Sequence, residues 1–423
     1  MSREIHVYAD WEWLGEIRRM GLLRADVVRG EETFSFEYDP EWLTQTNELL
    51  LDPELVLFEG PQYPADKVRS NFGLFLDSSP DRWGRLIMKR RESVNARIEG
   101  REPRRLFESD FLLGVHDEQR MGGLRFKESP DGDFLSAESG MTAPPMARLR
   151  ELEHAAWKIQ EDDRENQNDE ELSEWLALLM APGSSIGGAR PKAGVVDEKD
   201  QLWIAKFPAR GDEYDIGAWE MVVHRLAQNA GLDVAESRLE KFGLDHHTFL
   251  TKRFDRVVID GKRHRRHFAS AMTMLGYSDG TSFADGASYL EIVEFLMKYG
   301  ADVDEDLKEL FRRIVFSICV SNTDDHLRNH GFMLLPNGWK LAPAYDINPN
   351  PFGTGLHLNI SENDNSLNLE LAREVAPYFR ISDGEARMGI QGVVQVVRCW
   401  RKIASKLGIS NESVDSMQTA FDV

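Results

Sequence analysis

Apolar residues at Leu307, Leu310, Phe311, Ile314, Val315 and Ile318 recur at the spacing of one buried helical stripe. They predict a rigidly packed helix that ends at a polar stretch, Ser321 to Asn329, reading SNTDDHLRN. Two short apolar runs follow, His330 to Leu335 and Trp339 to Ala342, joined by Pro336-Asn337-Gly338. Asn-Gly tolerates the positive φ of a tight turn, so these runs predict a hairpin whose second strand leads to Ala344-Tyr345-Asp346.

Toward the N-terminus the pattern changes to period two. Ile5 to Ala9, Trp13 to Ile17 and Thr33 to Tyr38 predict strands of a small antiparallel sheet. Asp77-Ser78-Ser79-Pro80-Asp81 is a helix start, with helices predicted over Arg82 to Ser93 and Phe107 to Val115. This region shows no catalytic set and reads as a structural or docking module. Pro130, Gly132, Gly140, Pro144 and Pro145 break the pattern over 129–146. Two further helical stripes, Leu149 to Ile159 and Leu172 to Leu179, flank an acidic run at 161–171 that reads as a solvated loop. A hairpin is predicted from Ala193 to Phe207, turning at Glu198-Lys199-Asp200. After Gly217 comes a helix with Trp219, Val222, Val223, Leu226 and Ala230 on its apolar side, and Phe249 to Phe254 is strand-like.

Composition narrows the classes. With 423 residues, 41% of them hydrophobic, the chain can build two or three domains with real cores. A net charge of −21 disfavours broad contact with a phosphate backbone. The two cysteines, Cys319 and Cys399, both read as buried thiols of a reducing compartment. Neither a signal-peptide pattern nor a bilayer-length apolar run is visible, so a cytoplasmic protein without membrane contact is expected.

Chemistry concentrates in the polar stretch. Asp324 and Asn329 form D-x-x-x-x-N, a spacing that can place a carboxylate base and a metal-holding amide on one loop. Asp346, a hairpin away, either caps the turn before Asn348-Pro349 or supplies a second metal ligand. Ser184 to Lys192 sets glycines beside serines before a strand; it reads as a plain loop or as a backbone cradle for phosphate. Lys206 ends an apolar strand face shared with Leu202 and Ile204, where its ammonium either snorkels or meets an anion. Glu220, in a first helical turn, either favours the helix N-terminus or pairs with Lys206. His246-His247 and the run Lys262 to His267 read as exposed turns rather than metal or nucleic-acid sites.

The ordered set SSIGGARPK, WIAKFP, WE, TKRFDR, NTDDHLRN and LAPAYD resembles the HipA family of bacterial serine/threonine kinases, toxins of toxin-antitoxin pairs. In the N-terminal part, YADWEWLGEI, FEYDPEWL and FLDSSPDRWGR resemble that family's accessory subdomain, so the likeness covers essentially the whole chain. The resemblance implies an α+β, protein-kinase-like bilobal fold with a β-rich N-lobe, an all-α C-lobe and an N-terminal α/β accessory subdomain. Its parts would be 1–145 (accessory), 146–254 (N-lobe) and 255–423 (C-lobe). It also implies Asp324 as catalytic base, Asn329 and Asp346 as Mg2+ ligands, and Lys206 as the ATP-phosphate lysine with Glu220 as its partner. Ser185, Ile186, Gly187, Gly188, Ala189 and Lys192 would form the phosphate loop, with Ser185, or the adjoining Ser184, as an autophosphorylation site. Lys252, Arg253 and Phe254 match the adenine-contacting hinge, and His326 a histidine of the family pattern, here read as a loop brace. Arg190 and Arg328 depart from the glutamine and lysine usual at those places.

The activity so implied is Mg2+- and ATP-dependent phosphorylation of protein serine or threonine, with an aminoacyl-tRNA synthetase as target. A HipB-like helix-turn-helix antitoxin is the implied partner, with DNA reached only through it. A small-molecule phosphotransferase, a non-catalytic ATP-binding co-repressor and a metal-dependent hydrolase built on Asp324, Asp325 and His326 are the competing readings.

Overall fold

A computed structural model describes residues 2–45, 49–65, 70–135, 143–160, 169–180, 188 and 190–423. The chain divides into two compact units, one of Met1–Gly211 with Lys252–Ala269, the other of Asp212–Thr251 with Ser270–Val423.

The first unit opens with a four-stranded antiparallel sheet in the order Glu31–Tyr38, Arg18–Val28, Ser2–Ala9, Leu124–Lys127. Ile5, Val7 and Ala9 turn one face into the core, as their alternation predicts. Gly21 is paired with Val7 and Tyr38; a Cβ there would lie 2.3 Å from the Glu37 carbonyl, so the strands pass too closely for a side chain. The predicted strand Trp13 to Ile17 is not formed. Glu12–Leu14 is instead a short 3-10 turn, Gly15 takes a φ of 76° that extended backbone forbids, and the strand begins at Arg18.

The helix Arg82–Ile98 starts where the sequence places it, with Asp81 accepting from the Gly84 N–H at 2.9 Å. The helices Leu149–Ile159 and Asp169–Met180 and the hairpin Lys192–Val196 with Leu202–Lys206 also match the pattern. Trp203 and Ala205 are as buried as Leu202 and Ile204, so this strand is covered on both faces. The run Lys262 to His267 is no exposed turn. Lys262–Arg265 pairs with Arg256–Ile259, and His267 is buried with its ring stacked 4.9 Å from that of Trp11. Burial pushes the His267 imidazole down to about 3, so it stays neutral.

The second unit is built on the helix Val303–Cys319, whose predicted stripe is buried throughout. The helix Ile216–Asn229 is held by Trp219, which packs 5.9 Å from Trp400 and 6.0 Å from Phe421 and donates its indole N–H to Ser413 at 3.0 Å. Cys319 is buried, but Cys399 is exposed: it lies between the helices Asp383–Val397 and Trp400–Lys406, and Val397 and Trp400 take the inward positions beside it. No helix among the described residues is long and apolar enough to cross a membrane.

Candidate active site

The helix Val303–Cys319 and the hairpin Gly331–Leu335/Gly338–Leu341 are bolted together before the polar loop between them is reached. Arg313 donates to the Ala342 carbonyl at 2.8 Å, and the Leu341 N–H donates to Asp306 at 3.0 Å. Burial pushes the Asp306 carboxyl up to about 6 against that hydrogen bond. The two ends of the site carry non-glycine residues in the left-handed region, Ser321 at φ 49° and Asp346 at φ 57°. Such conformations persist only where surroundings over-determine them.

Here the surroundings do. The Asn350 N–H donates to the Ser321 carbonyl at 3.1 Å and its side-chain amide to Thr323 Oγ1 at 2.7 Å. The Asn348 N–H donates to Asn322 Oδ1 at 3.2 Å, and the Tyr345 hydroxyl to the Arg328 carbonyl at 2.6 Å. A Cβ on Gly353 would lie 2.3 Å from Thr323 Cγ2, so the chain after Asp346 lies directly on the residues before Asp324.

Within this brace two adjacent acids point opposite ways. Asp324 is exposed, whereas Asp325 is buried and accepts from the Tyr289 hydroxyl at 2.6 Å and from Ser317 at 3.3 Å. Its other oxygen lies 3.0 Å from His330 Nε2. Burial alone would raise the Asp325 carboxyl; His330 and the Tyr289 hydroxyl hold it below the usual range. Burial and the Asp325 charge likewise keep Tyr289 protonated. Asn329 donates its side-chain N–H to the Asp324 carbonyl at 2.9 Å, which commits the amide nitrogen and leaves the amide oxygen as a ligand atom. The Asp346 carboxylate accepts from the Asn348 amide at 3.2 Å.

His326 has a buried Nδ1 without a hydrogen-bond partner among the described residues, and its ring meets His357 edge-on at 5.7 Å. Burial lowers its pKa, while the charges of Asp324 and Asp346 pull the other way, so all three share one electrostatic neighbourhood. An amide oxygen and a carboxylate, both hard donors, suit Mg2+. A hydrolase centre on Asp324, Asp325 and His326 does not fit, because both Asp325 oxygens face protein groups. No group of three or more His, Cys, Asp or Glu among the described residues is placed to hold a metal.

The other expected residues fall elsewhere. Ser184, Ser185, Ile186, Gly187 and Ala189 lie outside the described residues. Lys206, in the first unit, is buried and stands opposite Lys192 in the hairpin register. Lys192 directs its ammonium inward, 2.6 Å from Asp81 and 2.9 Å from the Gly188 carbonyl. Its carbonyl accepts from the Trp83 indole at 3.0 Å, so the FLDSSPDRWGR segment anchors the start of this strand. Lys252 and Phe254 are half-buried, and Phe254 packs 5.9 Å from Phe268. Arg253 is buried, with its guanidinium committed to both oxygens of Asp255 and to the carbonyls of Gln119 and Arg120. Glu220 is buried in the helix Ile216–Asn229, in the second unit; the helix begins at Ile216, so Glu220 lies beyond its first turn, which holds no acid, and not in the first turn that the sequence suggests. Tyr289, Ser317 and His330 escaped the sequence reading, which weighed Asp325 only as a metal ligand and not as an inward brace; the one signal for that brace was the doubled acid.

The profile of the HipA-like C-terminal domain matches residues 184–407, more than half of the chain. The chain belongs to the family of proteins that carry a HipA-like C-terminal domain. It is 31% identical over 180 residues to a Haemophilus influenzae protein named "Putative kinase", covering 39% of this chain and 52% of that protein. It is 32% identical over 148 residues to "Putative kinase Y4mE" of Sinorhizobium fredii, covering 34% of this chain and 33% of that one. The chain thus spans about half, or less, of the length of these curated relatives. Among solved structures it is similar to HipA of Shewanella oneidensis MR-1, described in complex with HipB and operator DNA. The TM-score is 0.67 at 17% identity, over 98% of this chain and 94% of that one, which makes the fold the α+β HipA fold expected from sequence.

Proposed function

We propose that the protein transfers the γ-phosphoryl group of Mg-ATP to a serine or threonine hydroxyl of another protein. The observation that supports this best is the division of labour in one braced loop: Asp324 exposed, Asp325 in the core, Asn329 clasping the Asp324 carbonyl. Asp324 accepts or orients the proton of the acceptor hydroxyl. Asn329 and Asp346 would hold Mg2+, which supplies charge compensation on the phosphates. In this reading Lys206, with Glu220 as its partner, offsets phosphate charge, and the carbonyls of Lys252 to Phe254 line the adenine edge. The phosphate loop is assigned to Ser185 through Lys192, with Ser185 or Ser184 as the autophosphorylation site; a phosphate there would add about two negative charges beside the nucleotide.

The partner reading follows the neighbour's context: a HipB-like helix-turn-helix antitoxin, through which an acidic chain reaches DNA. The target class, an aminoacyl-tRNA synthetase, rests on the family resemblance. Labelled γ-phosphate transfer by wild type and Asp324→Asn is the test. Equal labelling of protein would remove the role given to Asp324, and label confined to small molecules would favour a small-molecule phosphotransferase.

A further inference from the structure

The helix Ile216–Asn229, the strand Ser237–Glu240 and the end of the helix Trp400–Lys406 line a cavity of about 480 Å3. None of Asp324, His326, Asn329 and Asp346 lines it. Its volume falls in the range of roughly 300–1,000 Å3 typical of small-ligand sites. Met221, Leu239 and Leu407 supply apolar surface.

The rest of the lining is cationic to a degree the composition does not predict. Acidic residues outnumber basic ones 72 to 51 in the chain, yet basic residues outnumber acidic ones on this wall. Here Arg225, Lys241 and Lys406, from three separate segments, face one cavity with no hydrogen-bond or ion-pair partner among the described residues. The one lining carboxylate, Glu236, already pairs with Arg238 at 3.5 Å. The imidazole of His247 is likewise committed, 2.5 Å from Asp215, the N-cap of the helix. His224, pushed down to about 4 by burial and by Arg225, stays neutral and lies 3.4 Å from the Ser237 hydroxyl. Like charges gathered without a counter-charge repel one another, and an anion seated between them relieves that repulsion while its body covers the apolar wall.

We propose that this cavity is a binding site for a small dianion with an apolar body, of the phosphate-monoester class. It is separate from the nucleotide site and does not depend on the kinase reading. The probe is phenyl phosphate, titrated calorimetrically into the full chain with Mg2+ and a non-hydrolysable ATP analogue at saturation. Saturable binding is expected, with neutral benzyl alcohol not binding and inorganic phosphate binding more weakly. Arg225→Glu and Lys406→Glu should each weaken phenyl phosphate by about tenfold, about 1.4 kcal/mol. Lys199→Glu, on an exposed turn of the other unit, should not. All three positions are exposed, and an unchanged denaturation midpoint will show that the variants fold. Phenyl phosphate binding no tighter than benzyl alcohol, binding indifferent to Arg225→Glu and Lys406→Glu, or binding abolished by the nucleotide analogue would each overturn the proposal.

Discussion

Two charge clusters, one in each unit, are built on opposite rules. In the first unit, Asp255 is wholly enclosed and accepts from Arg253, from Arg256 at 2.7 Å and from the Gly122 N–H at 2.9 Å. Around it Arg265 and Arg125 reach Asp117 at 3.0 and 2.6 Å, and Arg256 reaches the Arg120 carbonyl at 2.7 Å. Burial alone would raise Asp255; Arg253 and Arg256 bring it down to about 2. In the second unit, Asp325 is satisfied in the same manner, yet its neighbour Asp324 is left exposed at the tip of a fully braced loop. The difference separates structural from chemical charge. A carboxylate saturated by protein donors has nothing left for a substrate, while a catalytic one needs a rigid seat and an open face.

Asp324→Asn is the sharpest way to test that separation. It should lower phosphoryl transfer by roughly 10²–10⁴-fold, as loss of a general base does, and leave the urea midpoint where it was. Asp255→Ala should do the reverse at first sight of denaturant. It strands buried guanidinium groups, for a loss of about 3–5 kcal/mol in unfolding free energy. Asp325→Ala should show both effects: removing the acceptor of Tyr289 and Ser317 should cost about 1–3 kcal/mol and also lower activity by loosening the loop under Asp324. If Asp325→Ala proved fully active, the bracing role would be gone.

Two pH effects are smaller. Asp255 has a folded pKa of about 2, below the unfolded value near 3.9. Its contribution is therefore present above about pH 4 and is lost as pH falls toward 2. Asp306 has the opposite sign. Its folded pKa of about 6 lies above the unfolded value, so it contributes below about pH 4 and loses that contribution as pH rises through 6. Asp306→Asn keeps an acceptor for the Leu341 N–H, so it should stabilise the protein by about 1 kcal/mol at pH 8 and not at pH 4. Urea melts at both pH values read the difference.

Periodicity by itself determined the buried helix Val303–Cys319, the hairpin after it and the placement of Asp324, Asn329 and Asp346 at their ends, because these depend on residues near one another in the chain. The motif order carried the family. What only tertiary structure decided were the facts that depend on distant partners. Two adjacent aspartates are equivalent in sequence, and Tyr289 and Ser317 decide which one turns inward. Lys192 and Arg253 look like free cations until Asp81 and the carbonyls of Gln119 and Arg120 come to meet them. Lys262 to His267 reads as a solvated run until Trp11 covers its last residue. A side chain's charge is written in the sequence, but its solvation is set by segments that arrive from elsewhere, and solvation is what divides a core ion pair from a reactive group.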